Sequence, residues 1–176
     1  LTMFVEGFYN PATNNTVQDT VRVYIRNSTN PYAIIDSSKA VFSSSGQATV
    51  SFTNVTNGVN YYIQVKHRNS LETWSKTAQA FTSGLLNYDF TTAATKAFGD
   101  NMKQVDSSPV EFAVYSGDVN KDGTVDATDL SLIDNDATAF AGGYIVTDLT
   151  GDNFTDGTDY AIADNNAGNF VSVVTP

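Results

Sequence analysis

Cysteine is absent from this 176-residue chain, histidine and tryptophan occur once each, and proline four times. Without thiols there is no disulfide, no thiolate metal site and no cysteine nucleophile. The lone histidine, His67, rules out a histidine metal cluster. No serine sits in a G-x-S-x-G or similar setting, so no Ser-His-Asp constellation is legible, and no glycine-rich phosphate loop occurs. Long apolar runs are missing too: nothing approaches the roughly 18 consecutive apolar residues of a membrane helix. No basic segment leads into an apolar run, as a secretory leader would. The chain opens on LTMFVEGF, which reads as a strand, and a leader is expected to have been removed already.

Positive charge is lacking in one region only. Residues 1–112 hold eight Lys/Arg and eight Asp/Glu, whereas residues 113–176 hold eleven Asp and a single Lys, Lys121. The net charge of −10 therefore sits entirely in the last third. Such a tail argues against nucleic acid and membranes as partners. It points to cations.

The first hundred residues carry a β pattern. VRVYI (21–25), ATVSF (48–52) and YYIQVKH (61–67) alternate apolar and polar residues. Turn signals separate them at Asn10-Pro11, NSTNP (27–31), SSSG (43–46) and NGVN (57–60). Further strand-like stretches fall at Phe81 and LLNYDF (85–90). Short strands at spacings of about ten residues predict an antiparallel sandwich. His67, at a strand end, reads as structural. Trp74, near Arg68 and Glu72, reads as a plug for one end of the sandwich, with stacking on a sugar ring as the alternative. Composition changes in the polar stretch 98–112. The expected organisation is α+β in two domains: a β-sandwich over 1–100, a linker over 101–112 and a calcium-binding unit over 113–172.

The acidic segment repeats itself at a shift of 30 residues. Asp118, Asp122, Asp126 and Asp129 fall onto Asp148, Asp152, Asp156 and Asp159. Leu130, Ile133, Ala137 and Phe140 fall onto Tyr160, Ala163, Ala167 and Phe170, at i, i+3, i+7 and i+10, one face of a helix. Each unit is thus an acidic loop leading into an amphipathic helix, and two must pack together to bury that face. DVNKDGTVDATD (118–129) places Asp118, Asn120, Asp122, Asp126 and Asp129 at loop positions 1, 3, 5, 9 and 12. Gly123 stands at the turn, and Thr124 offers its carbonyl at position 7. This is the EF-hand spacing, with Asp in place of the final Glu. Calcium is a hard ion that takes six to eight oxygens, and a tight loop with alternate residues turned inward supplies them. The second loop, DLTGDNFTDGTD (148–159), offers Asp148, Thr150, Asp152, the Phe154 carbonyl, Asp156 and Asp159. Asn153 replaces the turn glycine there and tolerates the left-handed conformation. Thr150 is a poorer ligand than Asn120, so two calcium sites are expected, the second weaker. Since the unfolded chain has no preformed site, binding is folding free energy. With nearly all aspartates in ligand positions, no pair remains for glycoside hydrolysis. Asp134 and Asp164, toward the helix C-terminal ends, oppose the macrodipole and have no assigned role.

Paired DxNxDGxxxxxD loops, each followed by a helix, resemble the type I dockerin repeat over Tyr115 to about Val171. The resemblance implies a calcium-folded module that docks onto a cohesin. It also implies ligand roles for Asp118, Asn120, Asp122, Thr124, Asp126 and Asp129 and for their second-loop counterparts. Cohesin recognition in that family uses small hydroxylated residues late in the loop, which Thr128 and Thr158 match. It also uses apolar or basic helix residues, where this chain has Asp134-Asn135-Asp136 and Asp164-Asn165-Asn166. The N-terminal segment is similar, on DTVRVYIRN (19–27), GQATVSF (46–52) and GVNYYIQVKHRN (58–69), to the prealbumin-like or immunoglobulin-like sandwiches of secreted bacterial proteins. Sequons at Asn14, Asn27, Asn54 and Asn153 lean the same way, toward a secreted, glycosylated protein. The expected function is non-enzymatic. It is that of a calcium-stabilised structural protein of a bacterial surface fibre or matrix, self-associating by exchange of terminal strands. A dockerin-type adaptor for a cohesin-like receptor and a carbohydrate-binding module are the alternatives. Loss of metal is expected to unfold the C-terminal third and spare the sandwich.

Overall fold

The computed structural model describes residues 1–176. It is a mixed α/β structure whose sheets are antiparallel, joined to two helices at the C-terminal end. Near the start, β1 (Tyr9–Asn10) and β2 (Asn15–Thr16) form a short hairpin. The main sheet follows. β3 (Thr20–Asn27) lies between β4 (Ile34–Val41) and β5 (Asn60–Lys66), and β6 (Thr73–Trp74) and β7 (Gln79–Ala80) both pair with β5. The period-2 pattern explains β3: Val21, Val23 and Ile25 are buried, while Arg22, Tyr24 and Arg26 are half-exposed on the opposite face.

The layer covering the inner face is mostly not a second sheet. ATVSF (48–52) and LLNYDF (85–90), expected as strands, form no ladder, only isolated bridges such as Thr2↔Asp89 and Thr82↔Leu85. Their surroundings bond backbone groups in other ways. Asp36 Oδ2 accepts from the Thr53 and Asn54 amides at 2.7 and 2.9 Å, and the Ala48 amide donates to the Leu1 carbonyl. Extended but irregular chain thereby delivers Met3, Phe42 and Phe90, all fully buried, to the same core as Val21, Ile25 and Val65. Burial here depends on where side chains end up, not on ladder regularity.

The stretch 101–112, expected as a linker, contains most of a second hairpin, β8 (Lys103–Ser107) with β9 (Val110–Ala113). From it the chain runs back against its own N-terminus. Val5 bridges Val114, the Glu6 amide donates to the Val114 carbonyl, and the Ser116 amide donates to Glu6 Oε2. Next come α1 (Ala127–Thr138) and α2 (Gly157–Gly168), packed on each other. Their core joins Val119, Val125, Ile133, Leu149, Ala163 and Val171 to Leu71, a fully buried residue from the β half.

Two residues expected on the buried helix face are outside it. Phe140 and Phe170 are 89% and 88% exposed. The helices stop at Thr138 and Gly168, and both phenylalanines lie beyond the ends with φ of 51° and 55°. That left-handed turn swings their side chains off the face that Ile133 and Ala163 bury. Both chain ends are bonded within the molecule: Thr2 bridges Gln47 and Asp89, and Ser172 bridges Thr124.

Candidate metal centre

The two acidic loops are built alike down to single hydrogen bonds. Asp126 and Asp156 are the N-caps of α1 and α2, and each side chain accepts the amide two residues on at 2.7 Å. Asp129 and Asp159 complete reciprocal capping boxes: Oδ2 of each accepts the N-cap amide, at 3.1 and 2.8 Å. Oδ1 of each then reaches back across the loop. Asp129 takes the Val119 and Asn120 amides, and Asp159 takes those of Leu149 and Thr150. So the position-12 carboxylates, which are fully buried, tie the start of each loop to its helix.

A pseudo-twofold relation joins the units. Each loop pairs with the segment that follows the other loop's helix. Thr124 bridges Ser172, and 30 residues on Phe154 bridges Gly142. The flanking bonds repeat the relation: Val125 N to Val171 O with Thr155 N to Ala141 O, and Val173 N to Gly123 O with Gly143 N to Asn153 O. The turn positions take left-handed backbone in both, at Gly123 (φ 91°) and Asn153 (φ 72°).

At position 1 the loops differ. Asp118 is 2% exposed, and its Oδ1 has no hydrogen-bond partner. Burial pushes its carboxyl above the usual range, which nearby Lys121 and the Gly123 amide oppose. Lys121 lies exposed along its stem, yet its ammonium donates to the Ser70 carbonyl at 2.7 Å and is held below the ordinary lysine range by desolvation. Asp118, Lys121, Asp122 and Gly123 line a cavity of about 180 Å3 together with Lys66, Ser70 and Glu72. An unmatched buried carboxylate oxygen costs of order 1–3 kcal/mol or more unless a cation meets it. That chemistry fits calcium. Asn120 and Asp122 stand next in the loop. Asn120 Oδ1 accepts the Asp122 amide, and Asp122 Oδ1 accepts the Thr124 amide at 3.0 Å.

Asp148 is satisfied where Asp118 is not. Its Oδ1 accepts the Gly151 and Asp152 amides at 2.7 and 3.2 Å, and Oδ2 accepts that of Asn153. Arg68 brings its guanidinium to 3.4 Å from Oδ2 and also donates to the Ile145 carbonyl. In neither loop do three acidic side chains close on one point as a metal-holding group. Asp152 caps the Phe154 amide.

Arg68 belongs to a polar joint that sequence reasoning did not connect with the loops. Asp19, 6% exposed, accepts from Arg68 Nε at 2.8 Å and from the Tyr144 hydroxyl at 2.5 Å, and it lies 3.1 Å from His67 Nε2. Burial opposes its charge, but these donors outweigh it and hold the carboxyl well below the usual range. Desolvation keeps the His67 imidazole below its ordinary pKa, and Nδ1 faces Asn69 Oδ1. Asn69 Nδ2 in turn donates to the Asp148 carbonyl at 2.6 Å. The signal available in sequence was the adjacency of His67, Arg68 and Asn69 at the end of β5; their partners lie about 50 to 80 residues away. Trp74 is buried, donates to Glu72 Oε1 at 2.6 Å and is covered by Tyr32, Tyr62 and Arg26. All four sequon asparagines are exposed. No protein-family model matches the chain, and no curated protein matches it.

Proposed function

We propose that the protein is a non-enzymatic, calcium-stabilised structural module that works outside the cell, its acidic third being a dockerin-like repeat fused to a β-sandwich. The observation that carries this reading is the unmatched, buried Asp118 Oδ1 at the first position of a loop with EF-hand spacing. Asp118, Asn120, Asp122, Asp126, Asp129 and the Thr124 carbonyl would hold the ion of loop one. Asp148, Thr150, Asp152, Asp156, Asp159 and the Phe154 carbonyl would form the second site. It is weaker because Arg68 already faces Asp148. Bound calcium would supply the positive charge that the acidic segment lacks.

The extracellular setting rests on the four exposed sequon asparagines and on the calcium available there. Burial of the single histidine supports a non-catalytic role. Thr2 and Ser172 pair within the same molecule, which favours association through exposed faces over exchange of these segments. Docking onto a cohesin-like receptor is the second reading, favoured by Phe140 and Phe170, which stand free at equivalent ends of the two helices. A sugar-binding role would have to use the half-exposed tyrosines, because Trp74 is covered.

Calorimetric titration of the chelator-stripped protein with calcium tests the metal reading. Uptake at loop one with a rise in melting temperature is expected. At a free concentration of 100 times Kd the gain is about 2.7 kcal/mol. Asp118→Asn should abolish the tighter phase. No heat and no thermal shift in the wild type would end the proposal.

A further inference from the structure

We propose that the outer face of the main sheet docks onto the acidic helices of a second copy of this chain, head to tail. This rests on the structural-subunit reading and names the surfaces that would carry it.

The register sets like charges side by side. Arg22 on β3 lies directly opposite Lys39 on β4 and Lys66 on β5, so three cations form one row across three strands. Arg26 stands two pleats along, and the heads of Arg22, Arg26 and Lys66 all lie within 6 Å of the Tyr24 ring centre, at 5.9, 5.7 and 5.8 Å. Glu72 is spent on Lys66 at 2.5 Å and on Trp74, and at the Lys66 end of the row Asp118 and Asp122 line a shared cavity. Arg22 and Lys39 have no ion-pair partner. Like charges directly opposite on neighbouring strands destabilise a sheet, so this face is held positive at a cost. Beneath it Gln64 is fully buried. Its Oε1 accepts from Arg26 Nε at 2.7 Å, and its Nε2 has no hydrogen-bond partner.

The opposite surface is in the same chain. Asp134 and Asp164 occupy equivalent places in α1 and α2. Both are exposed, outside the loop ligand sets, and make no ion pair or side-chain hydrogen bond. Each sits toward the helix end where the macrodipole disfavours acids. Beyond each stands an almost fully exposed phenylalanine. Each surface is unfavourable alone, and each supplies the charge the other lacks. Half-exposed tyrosines on the sheet meet phenylalanines at the helix ends. Because the two patches are different, the contact is heterologous and does not close on itself, so chains of copies grow from it.

Sedimentation velocity on the calcium-loaded full chain tests this. Wild type should form concentration-dependent oligomers, with association weakened about tenfold or more between low and 0.5 M salt. Arg22→Glu with Lys39→Glu, and separately Asp134→Lys with Asp164→Lys, should each leave a monomer with unchanged calcium uptake and circular dichroism. Mixed in equal amounts, the two charge-reversed variants are complementary at both contacts and should again form concentration-dependent oligomers, whereas either variant alone stays a monomer. If the charge reversals impair folding, Arg22→Gln with Lys39→Gln and Asp134→Asn with Asp164→Asn replace them, each expected to weaken association. A wild type that stays monomeric at low salt overturns the proposal, as do variants that assemble like wild type. So does a monomer retained on an acidic polysaccharide column through Arg22. Because calcium uptake is read separately, its failure counts against the metal reading and not against this one.

Discussion

Gly7 carries no side chain because none fits: a Cβ there would stand 2.1 Å from the Leu149 carbonyl oxygen. Its own amide lies 3.3 Å from Ser116 Oγ. The nearest obstacle is the Leu149 backbone, which cannot rotate away, and Ile162 Cδ1 stands 3.0 Å off as well. Gly7→Ala should cost about 2–4 kcal/mol, read by urea denaturation, with the helix half affected as strongly as the sheet. His67 and Asp19 give a pH prediction at the same scale. The folded-state pKa of His67 is lowered, so the unfolded imidazole takes a proton first, and stability falls as pH drops below about 6.5. The folded-state pKa of Asp19 is depressed, so its contribution is present above about 3.9 and is lost as pH falls further. Melting temperatures should therefore decline on acidification in two stages, the first beginning below about pH 6.5 and the second below about pH 3.9. His67→Gln should remove the first stage, and it should also alter the second, because His67 is among the groups that hold Asp19 low.

At the scale of the element, the capping boxes make each helix depend on its own loop. Asp126 and Asp156 accept the second helical amide, and Asp129 and Asp159 return the bond. Asp126→Ala or Asp156→Ala should cost about 1–2 kcal/mol from the cap alone. That loss should persist in excess chelator, where any calcium contribution is gone; thermal melts with and without chelator separate the two parts. If both variants match wild type in chelator, the caps are not what starts these helices. On the sheet side, β4 is an eight-residue edge strand with Ile34 and Val41 exposed near its ends. Lys39 sits between them, a charge that discourages edge-to-edge pairing.

For the whole molecule, the decisive feature is how the β half and the acidic half share contacts. Leu71 sits fully buried in the helix core, Glu6 Oε2 accepts from Asn166 Nδ2 at 2.6 Å, and Arg68 and Asn69 bond around Asp148. Halves joined in this way should unfold together. Chelation is therefore expected to lower a single thermal transition, rather than melt the acidic third and spare the sandwich, as the sequence alone suggested. Leu71→Ala should cost about 2–5 kcal/mol and shift that one transition. Two separate transitions by calorimetry would contradict the shared core.

Local pattern carried much of the reading. The 30-residue shift, the loop spacing and the presence of a helix after each loop depend on residues a few positions apart, so they were legible. The same holds for β3 and β5, whose alternation reports one buried face. What the residues could not announce was every bond that joins distant parts of the chain. Ala48–Phe52 has the composition of a strand, yet its surroundings bonded with Asp36 and Leu1 instead. Phe140 and Phe170 fit the helical period but fell beyond helix ends that only the packed pair defines. Asp118 and Asp148 occupy the same loop position, and tertiary structure alone decided that an arginine from the β half should face one and leave the other unmatched. Periodicity records which face of an element is buried; only packing chooses what that face meets.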